Sequence, residues 1–181
     1  TLLGKTMSQV HKGSGRFKQS VAESSFEAWT KYYRQDENSP NAIVSYYTKG
    51  ALIALLLDLR LRAESHGARS LDDVMRVLWA RFGQTGVGVA EDGLFGLVAE
   101  LGGGEVAGWL QMLVEGRDEL PLVEWLGRVG VQLMWEAANK APGMGVRTSA
   151  DGDVLKIAHV FDGGSAQAAG LSAGDVLVAL D

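Results

Sequence analysis

Two tyrosines stand side by side at the mouth of an apolar run, in SYYTKGALIALLLDLRLR, residues 45–62. A phenol hydroxyl held in a dry cleft can donate to negative charge developing on a carbonyl oxygen, and a donor so placed is worth about 10²–10³ in kcat. A phenol at a helix entrance can also be an ordinary core residue whose hydroxyl finds a backbone partner. Residue type alone leaves Tyr46 and Tyr47 open to both readings. Lys49, one turn on, can set the local field or snorkel, and it is assigned no catalytic role. Just upstream, Asp36, Glu37 and Asn38 form either an acidic wall that receives a substrate amine or a solvated turn. The three histidines, His11, His66 and His159, are not spaced to share a metal, and no His-Glu-x-x-His motif occurs.

These residues need elements to hold them. Residues 1–12 read as the tail of a helix closed by KGSG. Ser20 and Glu23 have capping-box spacing and open an amphipathic helix with Phe26, Trp29 and Tyr33 on one face. The polar RQDENSPN stretch breaks the pattern, and residues 44–63 follow as a central helix, apolar almost all round. Ser70 and Asp73 repeat the capping signal before a helix lined by Val74, Leu78 and Phe82 and stopped at Gly83. Residues 90–101, 105–115 and 120–129 give three shorter helical patterns. After Gly130 the texture changes to short β-prone runs, VQLMWEA, GMGVRT, DVLKIAHVF and DVLVAL, separated by glycine-rich turns.

Composition bounds what the chain does. With 181 residues, 46% of them apolar and 22% charged, it can bury a substantial core. A net charge of −5, with cations scattered singly, offers no patch for a nucleic-acid backbone. The longest unbroken apolar run, Ala51 to Leu57, is far short of the roughly 20 residues that cross a bilayer. No cysteine is present, which removes disulfides and thiolate metal sites and fits a reducing cytoplasm and a periplasm equally well. The chain reads as a piece of a longer protein.

APGMGV, followed by a strand, and then SAQAAGLSAGDVLVAL, resemble a PDZ domain. The resemblance implies that Gly143, Met144, Gly145 and Val146 present backbone amides to a peptide's C-terminal carboxylate, with Val146 opening a strand that the guest augments. The resemblance covers only the first part of such a module, without the second wall of its groove. In the helical part, SVAESSFEAWTKYYRQDENSPNAIVSYYTKGALIALLLDLRLR resembles the glycyl aminopeptidase family, whose members join a thermolysin-like zinc domain, a helical region and a PDZ module. That resemblance implies that Tyr47 lends its hydroxyl to the tetrahedral oxyanion, that zinc is held upstream of the matching region, and that these helices dock on that upstream catalytic domain. It also implies peptide substrates with small N-terminal residues, Gly or Ala.

The expected architecture is therefore multidomain: an all-α helical array over residues 1–129 completing a peptidase cleft, then a truncated β-rich PDZ-like module over 130–181. The alternative is a non-catalytic peptide-binding protein in which Tyr47 is structural.

Overall fold

The computed structural model describes residues 1–136 and 143–179. Eight α-helices come first: α1 (Leu2–Lys12), α2 (Val21–Phe26), α3 (Ser39–Ala42), α4 (Tyr46–Glu64), α5 (Leu71–Leu78), α6 (Gly93–Gly102), α7 (Gly104–Glu115) and α8 (Leu122–Arg128). Strands β1 (Val146–Asp151) and β2 (Val154–Val160), the short helix α9 (Ser165–Ala168) and strand β3 (Val176–Leu177) complete the described chain.

The core forms around α4. Its Leu52, Ile53, Leu56, Leu57 and Leu61 are at most 3% exposed, packed against α1, α2, α5, α7 and α8. Burying each leucine contributes roughly 1.5–3 kcal/mol. With the preceding turn, Ser39–Glu64 is long and apolar enough by length and composition to cross a membrane. Its enclosure by five other helices shows how a core helix meets the same test.

Both helices with capping sequences start where those sequences put them. The Ser20 hydroxyl accepts from the Glu23 N–H (3.0 Å) while the Glu23 carboxylate accepts from the Ser20 N–H (2.7 Å). At α5, Asp73 accepts from the Ser70 N–H at 2.8 Å. Two helices end differently from expectation. Each widens into a π-turn, Ala28–Tyr32 after α2 and Trp79–Gly83 after α5. The face carrying Phe26, Trp29 and Tyr33 also points to solvent, with Phe26 88% and Trp29 79% exposed. Periodicity reports which residues share a face, not whether the described chain covers it.

The β-strands form a three-stranded antiparallel sheet in the order β1-β2-β3. Val146 pairs with Val160 and Asp151 with Val154, and Leu155 pairs with Leu177. A small core of Ile157 and Ala166 lies beneath it. VQLMWEA departs from expectation: residues 131–136 are irregular, and the ring of Trp135 stacks on His11 at 3.9 Å. Stacking on α1 holds this segment, which pairs with no strand among the described residues.

Candidate active site

The approach to the tyrosines is fixed by buried polar residues. Gln19 accepts from the Val44 N–H (3.1 Å) and the Ser24 hydroxyl donates to the Val44 carbonyl (2.5 Å). Gly15 lies so close to Ile43 that a Cβ there would stand 2.1 Å from the Ile43 carbonyl oxygen. The extended segment before α4 is thereby pinned on both sides. Ser45 then caps the helix, its hydroxyl accepting from the Thr48 N–H at 3.3 Å and sharing a hydrogen bond with the Tyr32 hydroxyl at 3.1 Å.

On this base four tyrosines converge. The π-turn Ala28–Tyr32 brings Tyr32 and Tyr33 over the start of α4, where the rings of Tyr46 and Tyr47 lie 4.2 Å apart. The Tyr33 hydroxyl stands 2.8 Å from that of Tyr47 and 3.2 Å from that of Tyr46. Tyr46 is half-buried; Tyr47 is 57% exposed. The hydrogen bond with Tyr33, then that with Tyr46, lowers the pKa of Tyr47, because both stabilise its ionised oxygen. The same group works in reverse on Tyr46, whose pKa is raised by its hydrogen bonds with Tyr33 and Tyr47. The cluster thus sets two adjacent phenols apart: ionisation is easier at Tyr47 and harder at Tyr46. Sequence reasoning left Tyr32 and Tyr33 out of the site. The signal available was a second Tyr-Tyr pair, but the assumed regular helix set Tyr33 among packing residues.

Lys49 takes no part and does not snorkel. It is 1% exposed, and its ammonium donates to the Arg16 carbonyl at 3.2 Å. Burial lowers its pKa. Asp36 is likewise committed, accepting from the Ser39 hydroxyl (2.8 Å) and the Asn38 N–H (3.0 Å). The Ser39 hydrogen bond is the main reason that the Asp36 pKa is lowered. The Glu37 carbonyl accepts from His159 Nδ1 at 3.0 Å, so this turn meets the β-sheet. Among the described residues no group of three His, Asp or Glu side chains gathers to hold a metal ion.

The glycine loop lies at the other end of the described chain. Pro142 is outside the described residues. The Met144 carbonyl accepts from the Ala166 N–H (2.9 Å) and the Ser165 hydroxyl (3.2 Å), and the Gly145 carbonyl accepts from the Phe161 N–H (2.8 Å). Gly145 has φ +76° and a Cβ there would lie 2.8 Å from the Gly164 Cα, so the loop needs glycine on both counts. Val146 opens β1, an edge strand.

The model of the M61 glycyl aminopeptidase family matches residues 1–53, a stretch that holds all four tyrosines. Among solved structures, the crystal structure of an aminopeptidase N family protein from Idiomarina loihiensis is similar over 98% of this chain, with 41% identity and a TM-score of 0.87. The chain spans 32% of that protein's length. No curated protein matches it. One likeness follows the sequence through the tyrosine cluster and the other follows the arrangement of helices and sheet, and together they support placing this chain with the glycyl aminopeptidase family.

Proposed function

We propose that the protein carrying this chain is a zinc-dependent aminopeptidase that releases small N-terminal residues such as Gly or Ala, with Tyr47 as a catalytic residue. The observation that carries this reading is an exposed phenol whose oxygen is already hydrogen-bonded to Tyr33, inside the family-matched residues. When water adds to a peptide carbonyl, the Tyr47 O–H donates to the oxyanion that forms. With Tyr33 acting as the donor in the hydrogen bond that the two phenols share, the Tyr47 proton is free for the oxyanion. The described residues do not themselves fit a zinc site. Its ligands are assigned to other residues of the whole protein, and zinc's contribution there is to activate water.

The helical array is taken as residues 1–129 and the sheet as the first part of a PDZ-like module over 130–181. The inward carbonyls of Met144 and Gly145 support the module's assignment, since they leave the opposite side of the loop for a peptide carboxylate. The free edge of β1 suits strand addition by a guest peptide. The exposed Phe26 and Trp29 form the face assigned to the catalytic domain.

The test is kcat/KM of the full-length protein on a glycyl arylamide with zinc present, compared with Tyr47→Phe. A fall of about 10²-fold or more, mainly in kcat, is expected. An active wild type with an unchanged variant would make Tyr47 a packing residue. Absence of cleavage by either protein would favour a binding protein instead.

A further inference from the structure

We propose that the cleft between the helical array and the β-sheet receives the free C-terminal carboxylate of a short peptide. The cleft encloses about 560 Å³, within the range of small-molecule sites, which concentrate at such junctions. Lys12, Arg16 and Arg147 line it, and among the described residues no carboxylate does. The chain has 22 acidic residues against 17 cationic ones, so an all-cationic lining runs against its overall balance.

The three cations are not equivalent. Arg16 is committed, donating from Nε to Glu119 (3.0 Å) and from Nη1 to the Gly13 carbonyl (2.8 Å). Among the described residues Lys12 and Arg147 have no ion-pair partner. The Arg147 guanidinium lies 5.7 Å from the centre of the Phe161 ring, which sets it on the cleft wall. A planar guanidinium and a lysine ammonium facing one space are what a carboxylate requires.

The remaining lining describes the rest of the ligand. Ile43 and Val44 offer apolar surface, and Ser45 and Tyr32 offer hydroxyls. A short peptide combines those requirements: apolar side chains, a polar main chain and one negative end. Tyr32 belongs to both sites, since it lines the cleft and its ring centre is 6.0 Å from that of Tyr47. An extended residue covers roughly 3.3–3.6 Å, so about two residues span the distance between those rings. The identity of the ligand as a peptide rests on the aminopeptidase reading; the cationic site does not.

The experiment is calorimetric titration of the full-length protein with N-acetyl-Ala-Ala and with its C-terminal amide. A blocked amino terminus prevents aminopeptidase cleavage, so the result is independent of whether Tyr47 is catalytic. The free acid is expected to bind at least about tenfold more tightly than the amide, a typical worth for a charge-assisted contact. The paired substitutions Lys12→Gln and Arg147→Gln, both at exposed positions, are expected to erase that difference while circular dichroism stays unchanged. Equal affinity for acid and amide, or binding of neither, would overturn the proposal. So would a preference that survives the double variant, which would assign the carboxylate to the Gly143–Val146 loop.

Discussion

The phenol oxygens of Tyr33 and Tyr47 lie 2.8 Å apart, although the residues are 14 positions apart in sequence and belong to different helical segments. The π-turn Ala28–Tyr32 makes this meeting possible by displacing Tyr33 from the path of a regular helix. Tyr33 is thus a positioning residue for Tyr47. Tyr33→Phe is expected to move the ionisation of Tyr47 to higher pH, because the hydrogen bond that lowers it is removed. The shift is read by comparing two ultraviolet difference titrations, wild type against Tyr47→Phe and Tyr33→Phe against the Tyr33→Phe/Tyr47→Phe double variant. The catalytic cost is about fivefold in kcat, the worth of one ordinary hydrogen bond, with KM little changed. A Tyr47 titration that does not move would remove Tyr33 from the site.

Glu23 ties the start of α2 to the loop before α8. Its pKa is lowered to about 2, first by the hydrogen bond from Arg117 and then by that from the Ser20 N–H. A carboxylate whose folded pKa is depressed adds stability above its unfolded value, here 4.5, and loses it as pH falls towards about 2. The ion pair is substantially solvated, with the Glu23 side chain 42% exposed, so the contribution is discounted. Glu23→Gln is expected to destabilise the fold by about 1 kcal/mol at neutral pH and by almost nothing near pH 2. Urea unfolding at both pH values checks this, and a cost that persists at low pH would mean that packing, not charge, is responsible.

The aromatic face of α2 carries a third expectation. Phe26 and Trp29 are 88% and 79% exposed, and the Trp29 ring lies 5.1 Å from that of Tyr33. An apolar patch of that kind without its cover self-associates in water. Sedimentation of the isolated chain is expected to show species larger than a monomer, and Phe26→Ser with Trp29→Ser to restore a monomer. A clean monomer for the unaltered chain would argue against a docking face.

Much of the helical architecture is legible from local rules. Ser20 and Ser70 announce their helices through carboxylates three residues on, and the apolar surface of residues 44–63 forces α4 into the centre. Glycine spacing likewise announces the strands from Val146 and Val154. What is not local is not legible. The π-turns depend on how a helix end meets its neighbours, and both escape a reading based on regular periodicity. Trp135 sits in a β-prone run, yet stacking on His11 decides its place. Tyr47 can be singled out only by resemblance, whereas its oxygen's partner, Tyr33, follows from three-dimensional meeting alone. Lys49 shows the same limit from the other side: a residue type expected at the surface is buried because a main-chain carbonyl waits for it.

Asn41, 4% exposed, spends its side chain on the β-sheet. Its amide nitrogen donates to the Val160 carbonyl (2.7 Å), and its amide oxygen accepts from the Asp162 N–H (3.0 Å). Asp162 in turn accepts from Ser14 (3.1 Å) and pairs with Lys18. The sheet is therefore not a bead on a string that evolution or an engineer can swap freely. Any shuffled replacement would have to bring its own answer to Asn41, or leave a buried amide stranded within a few residues of the tyrosines. Modularity here ends at a single asparagine.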